Sequence, residues 1–374
     1  MHINSTFSSG NIDVVDINES SNQVQLKIHQ DNNSDFKQWF HFKVNNALNR
    51  TLTFQVSDAK DAAYPDGWEN YNVCCSLDGE EWFRIPTDYK DGVLTFEFSF
   101  EESSAYFAYF APYSYERHLS LVHQAACHPL VEHSVIGQSL DGREINLLRL
   151  GNPSAKHKVW LIARQHPGET MAEWFMEGVI GRLLDYTDAT ANQLLNEACL
   201  YLVPNMNPDG TERGHLRTNA NGVNLNREWN CSTPEQSPEV YCVRDMMLKE
   251  GVTMFIDVHG DEGLPYVFLA GSEGIPSYND ELSKQEEHFK QVFKMANPDF
   301  QDEFGYPKDS PGEADLSVAS SWVAEQFKCF GMTLEMPFKD NANAPDVEYG
   351  WSPERSIQLG ETILTPILSH VTTF

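Results

Sequence analysis

Apolar and polar residues alternate along the first third of the chain. Phe40-His41-Phe42-Lys43-Val44 and Leu94-Thr95-Phe96-Glu97-Phe98 show the period of two most clearly. That period marks a strand with one buried face. Short runs rich in aromatic or β-branched residues extend the pattern: Val24 to His29, Trp39 to Val44, Leu52 to Val56, Asn70 to Leu77, Val93 to Phe98 and Tyr106 to Phe110. Tyr64-Pro65-Asp66-Gly67, Asp78-Gly79 and Asp91-Gly92 separate them as turns. Short strands at this spacing predict a small antiparallel β-sandwich over residues 1–118. Its inward aromatics are expected to be core rather than a binding face.

Residues 119–135 read as a connector, and beyond them the period changes. Val135 to Gln138 and Glu144 to Leu148 flank Asp141-Gly142, a hairpin signal. Strands are then expected at Val159–Ala163, Cys199–Val203, Thr253–Val258, Tyr266–Leu269 and Met332–Glu335. Helices are expected at Met171–Tyr186, Glu239–Lys249, Glu281–Met295, Leu316–Phe327 and from Pro353 to Ser369. Ser237-Pro238-Glu239 supplies an N-cap and a first-turn proline to the second helix. This alternation predicts an α/β domain over residues 136–374, with a central mixed, largely parallel sheet flanked by helices.

Composition narrows the partners. The 374 residues carry 55 acids against 26 Lys and Arg, a formal charge of −29. Nucleic acid and anionic membrane both call for a basic surface, so neither is expected. No apolar run is long enough to span a bilayer, and the N-terminus lacks a basic region followed by an apolar one. A cytoplasmic protein is the expectation. Seven scattered cysteines, an odd number, fit reduced thiols. Cys127-His128 has no second pair with metal-site spacing.

Candidate chemistry gathers where strands end. The apolar run to Ala163 stops at Arg164-Gln165-His166-Pro167-Gly168-Glu169-Thr170, and a helical pattern follows. Ligands of open α/β sheets bind at such strand-to-helix junctions. An imidazole and a carboxylate three residues apart suit zinc, although His-x-x-Glu alone is a weak signal. A second strand, Phe255 to Val258, ends in His259-Gly260, with Asp257 on the same side to orient a ligand. A third, Met332-Thr333-Leu334-Glu335-Met336, holds one carboxylate that is costly to bury without a purpose or a partner. Asn207-Pro208-Asp209-Gly210, Arg217 and Asn224-Leu225-Asn226-Arg227-Glu228-Trp229 lie between the first two.

This set, in this order, resembles the zinc carboxypeptidases of the carboxypeptidase A superfamily. The β-rich N-terminal part and Phe110-Ala111-Pro112-Tyr113-Ser114-Tyr115 narrow the likeness to the cytosolic carboxypeptidase branch. It covers nearly the whole chain. The resemblance implies one zinc ion per chain, held by His166, Glu169 and His259 with the fourth position open, the His₂Glu set of carboxypeptidase A. It implies that Glu335 is the general base, that Arg217 stabilises the developing oxyanion, and that Asn226 and Arg227 clamp a free C-terminal carboxylate. The Asn207–Gly210 segment is expected to be a turn that sets the loop carrying Arg217. The implied activity is removal of C-terminal residues from peptides or protein tails.

One departure stands out. The family has a substrate-capping tyrosine in the stretch before its catalytic Glu. Gly312 to Phe327 contains none, and Tyr306 and Tyr349 lie outside it, so no tyrosine is assigned. Two other functions fit parts of the pattern: an aspartoacylase-like amidohydrolase acting on N-acyl amino acids, and a binding protein with an inactive metal site. The large β domain and long loops favour peptides over the first. Glu335 together with Arg217 and Arg227 argues against the second. The cytosolic branch is associated with trimming glutamate. Here Gly312 to Phe327 holds Glu313, Asp315 and Glu325 but no Lys or Arg. The expectation is therefore a neutral or basic C-terminal residue, with Arg244 and Lys339 as distant cations that could alter it.

Overall fold

Ten strands precede the first long helix in the computed structural model, which describes residues 1–374. They are β1 (His2–Asn4), β2 (Asp13–Asn18), β3 (Gln23–Lys27), β4 (His41–Asn45), β5 (Thr51–Val56), β6 (Val73–Ser76), β7 (Phe83–Ile85), β8 (Thr87–Lys90), β9 (Val93–Ser99) and β10 (Ser104–Ala108). They form two sheets, ordered β1-β4-β10-β6-β7 and β2-β3-β5-β9-β8. Every pairing is antiparallel except β3 with β5. The alternating aromatics are core, as their period predicts. Phe54 stacks on Phe96 at 5.0 Å within one sheet and meets Phe107 of the other at 5.2 Å. Strands β1, β2, β7 and β8 escape a pattern reading because they are short or exposed: Val14 and Val15 of β2 point outward.

The rest of the chain runs α1 (Tyr115–Ala126), β11 (Val131–Gln138), β12 (Glu144–Gly151), β13 (His157–Ala163), α2 (Met171–Leu184), α3 (Ala189–Glu197), β14 (Ala198–Val203), α4 (Pro208–Arg213), α5 (Pro238–Glu250), β15 (Met254–Asp261), β16 (Phe268–Ala270), α6 (Asp280–Ala296), α7 (Ala319–Phe327), β17 (Phe330–Pro337), α8 (Pro353–Thr362) and α9 (Leu364–Thr373). The sheet order is β11-β12-β14-β13-β15-β17-β16. The four strands β14, β13, β15 and β17 are parallel; β12 and β16 run against them, and β11, antiparallel to β12, runs with them. Buried on both faces, β14 reads as a continuous apolar run, and β17 as one broken only by Thr333 and Glu335 among its larger side chains.

Three local expectations change. Much of the supposed connector is α1, whose N-cap Ser114 Oγ accepts from Arg117 N at 3.1 Å, and β11 begins before residue 135. The Asn207–Gly210 turn is the start of α4: Asn207 Oδ1 caps it by accepting from Gly210 N at 3.1 Å. The final helix is two helices that meet at Ile363. Pro366 has no N–H with which to continue the ladder there.

The two parts of the chain pack directly on each other. Tyr109 stacks on Phe338 at 4.6 Å, and the Arg84 guanidinium donates to the carbonyls of Phe338 (2.8 Å) and Trp351 (3.2 Å). All seven cysteines are free thiols. No helix is long and apolar enough to cross a membrane.

Candidate metal centre and active site

Parallel strands β13, β15 and β17 are adjacent, so their C-terminal ends open on one place. The register pairs Ile162 with Asp257 and His259 with Glu335. Arg164, just after β13, has a φ of 62°. A non-glycine residue pays for that left-handed backbone only where its surroundings hold it. Here its buried guanidinium donates to Pro167 O at 2.7 Å and to Glu173 Oε2 at 2.6 Å. The turn so fixed aims His166 and Glu169 inward.

His166, Glu169 and His259 are all buried, and their donor atoms lie within 4.8 Å of one another. His166 Nδ1 is 2.6 Å from Glu169 Oε1, and His259 Nδ1 is 2.8 Å from Glu169 Oε2. The two Nδ1 atoms are 3.1 Å apart. Both histidines turn the opposite nitrogen to a fixed acceptor. His259 Nε2 is 2.7 Å from Asp257 Oδ2, and His166 Nε2 is 3.0 Å from Asn224 Oδ1. Asp257 in turn accepts from Gln165 Nε2 at 2.6 Å, whose Oε1 accepts from Trp229 Nε1 at 2.9 Å. Two imidazoles and a carboxylate, with each imidazole oriented by an oxygen behind it, fit a catalytic zinc ion.

Charge at the centre is strongly shifted. Burial, followed by the Arg217 charge, holds His166 down to about 4, so its ring is a neutral donor at neutral pH. Burial works against ionised Glu169, but the two imidazoles outweigh it and keep this carboxyl well below the usual range. Burial likewise opposes charge on His259, yet Asp257 and Glu169 push its pKa up. Burial raises Glu335 well above an ordinary carboxylic acid, and Glu169, Asp261 and Glu262 add to the shift against His259.

The surrounding cavity has a volume of about 1050 Å³, and all seven predicted site residues line it. Glu335 is 6% exposed. Arg217 Nη1 lies 3.8 Å from Glu169 Oε1. Asn226 Oδ1 is occupied by Ala319 N at 2.8 Å, while its Nδ2 sits 3.4 Å from His259 Nε2. Arg227 is half exposed, and the nearest carboxylate, Asp315, is 3.9 Å away.

Residues 3–110 match the family model of the cytosolic carboxypeptidase N-terminal domain, and residues 121–358 match that of the zinc carboxypeptidases. The chain belongs to the zinc carboxypeptidase family. An uncharacterised protein of Zymomonas mobilis is 49% identical over 97% of this chain and 95% of its own length. A crystal structure of a metallo-carboxypeptidase from Burkholderia cenocepacia is 45% identical with a TM-score of 0.97, covering 100% of both chains. A metallo-carboxypeptidase from Pseudomonas aeruginosa, solved with (2-guanidinoethylmercapto)succinic acid, is 45% identical with a TM-score of 0.97 and covers 100% of this chain and 99% of the other.

Two features of this carboxypeptidase's site escaped the sequence. Tyr306 lies at the cavity, where its hydroxyl donates toward Asp261 Oδ2 at 2.6 Å and sits 3.2 Å from Glu335 Oε1. It stands at the head of a Gly/Pro-rich loop, Tyr306–Glu313, that carries no periodic signal. Two cations also line the cavity from outside the Gly312–Phe327 stretch, Lys290 and Lys308. Lys308 Nζ pairs with Glu273 at 2.8 Å, and Lys290 pairs with Glu286. The distant candidates are elsewhere: Arg244 packs over Trp322 at 4.5 Å, and Lys339 Nζ donates to Glu69 O at 2.7 Å.

Proposed function

We propose that this carboxypeptidase removes the C-terminal residue of peptides or protein tails with one zinc ion held by His166, Glu169 and His259. The observation that carries the reading is the register of β15 on β17. It sets Glu335, a buried carboxylate in an apolar strand, directly beside His259 and within the same cavity as the three donors. When bound, zinc polarises the scissile carbonyl and makes a water molecule more acidic.

The chain's own residues do the rest. Glu335 takes the proton of the attacking water and returns it to the leaving amine. Burial supports this role, because a carboxylate with a raised pKa is a stronger base. The Tyr306 hydroxyl, 3.2 Å from Glu335 Oε1, steadies that carboxylate or, once moved, caps the substrate. Arg217 offers its guanidinium to the oxyanion that develops on the carbonyl. Arg227, with no tight ion-pair partner, is available for bidentate contact with the terminal carboxylate, and Asn226 adds an amide donor. In the Pseudomonas aeruginosa relative, the bound molecule carries both carboxylates and a guanidino arm, which suits a site of this composition.

The test is a peptide library incubated with zinc-loaded protein, read by mass spectrometry, with N-acyl amino acids included. Stepwise loss from the C-terminus is expected. Chelation should abolish it, and added zinc should restore it. Full turnover in metal-free protein, or cleavage of N-acyl amino acids alone, would overturn the reading.

A further inference from the structure

Arg217 is held in place by the other half of the molecule. It lies on the loop between α4 and Leu225, and the anchor of that loop is Asp31, on the segment between β3 and β4. Asp31 is 3% exposed. Its Oδ1 accepts from Leu216 N at 2.7 Å, and its Oδ2 accepts from Arg217 N and Thr218 N, both at 2.8 Å, and from Thr218 Oγ1 at 3.0 Å. Three successive backbone N–H groups converging on one carboxylate form an anion-binding concavity. Charge-assisted bonds of this kind are the stronger class of hydrogen bond.

The guanidinium at the other end of the residue is seated by the same segment and its neighbour. Its carbon lies 5.6 Å from the centre of the Phe36 ring and 5.5 Å from that of Tyr64. Such contacts add cation–π attraction and restrict the long side chain to one direction. Asp31 and Phe36 are themselves tied together, since Asp31 N donates to Phe36 O at 2.8 Å. Backbone anchor and ring seat therefore move as one piece.

We propose that Asp31 is a positioning residue for the peptidase reaction: it fixes the loop that aims Arg217, while Phe36 and Tyr64 seat the guanidinium. The N-terminal sheets thereby complete the active site. The proposal rests on the reading of Arg217 as the cation that meets the oxyanion. A purely structural bond between the two halves would also hold the loop, but its loss would not depend on Arg217. A second route runs through Leu216 O, which accepts from Gly168 N at 2.8 Å beside the candidate ligands; metal content reads that route separately.

The experiment uses full-length, zinc-loaded protein and a double-mutant cycle of Asp31→Asn and Arg217→Ala, with kcat, KM and bound zinc measured for each form. Asp31→Asn keeps the size but loses one acceptor oxygen. It should lower kcat by roughly 10²-fold, the scale of a small misplacement of a reacting group. KM should change little and zinc should stay bound. In the Arg217→Ala background the same substitution should cost less than about threefold, because the group it aims is gone. Equal losses in both backgrounds, an undiminished kcat, or a loss matched by lost zinc overturns the proposal while leaving Arg217 its role. Normal activity of Arg217→Ala alone overturns the role of Arg217, and the positioning of it falls as well. Should Asp31→Asn fail to fold, Phe36→Leu runs the same cycle. A kcat loss that vanishes without Arg217 supports the proposal, and an equal or absent loss sinks it.

Discussion

Glu335 is a candidate that one side chain makes legible. A single carboxylate inside Met332–Met336 conflicts with its apolar surroundings, and the conflict is visible without coordinates. The structure leaves it without a cation partner: Oε1 meets the Tyr306 hydroxyl and Oε2 has no hydrogen-bond partner. A buried carboxylate so placed costs stability, and a catalytic role is one reason to keep it. Glu335→Gln keeps the volume and removes the proton acceptor. Turnover should fall by roughly two to four orders of magnitude, with zinc content unchanged by metal analysis. Near-normal turnover with zinc in place would return Glu335 to the core. Tyr306 makes the contrast. Its phenol meets Glu335 only through a contact across the cavity, and the loop that bears it reads only as Gly- and Pro-rich.

At the scale of elements, β13, β15 and β17 were visible as apolar runs, and so were their polar ends. The neighbour relations were not, because parallel pairing links residues far apart in sequence and leaves no local period. Helices α1 and α3 were missed for a related reason: only three residues of α1, and two of α3, are buried, so their apolar stripes are thin. Strand β15 gives the element-level test. Asp257 and His259 lie on one face of it, two residues apart, and Asp257 Oδ2 stands 2.7 Å from His259 Nε2. If that contact holds the ring for a metal, Asp257→Asn should weaken zinc affinity by roughly 10–100-fold. Competition with a chromophoric chelator measures it. Unchanged affinity would make Asp257 a core partner of Gln165 and nothing more.

For the whole molecule, the sequence pattern separates strand-rich and α/β parts but does not reveal how the two touch. The contact of Asp31 with residues 216–218 joins positions with no shared periodicity. The cations of the cavity were hidden likewise: Lys290 sits on α6 and Lys308 on the loop just before Gly312, both outside the Gly312–Phe327 stretch. They bring to the cavity the cations that Gly312–Phe327 lacks, in place of Arg244 and Lys339, yet they do not make it cationic. Lys308 and Lys290 are each matched by a carboxylate, Glu273 and Glu286. Glu262, also lining the cavity and 6% exposed, carries a pKa pushed up to about 8 by burial and by Glu169. An entering glutamate side chain would have to displace Glu273 or Glu286 from its lysine, or remain desolvated beside acids, and either is costly. The formal charge of −29 repels acidic tails as well, though salt screens that repulsion beyond about 8–10 Å. Peptides ending in Leu or Lys should therefore be cleaved faster than otherwise identical peptides ending in Glu, by roughly tenfold, the equivalent of about 1.4 kcal/mol of like-charge contact. Raising the salt should narrow the gap without closing it, because the part that arises inside the cavity is screened least. The measurement is kcat/KM for a series of peptides that differ only in the last residue, at low and at moderate salt. Faster removal of Glu at both salts would refute the prediction and show that a pocket lysine exchanges its carboxylate for that of the substrate. Lys308→Met should then abolish the preference for Glu while sparing Leu.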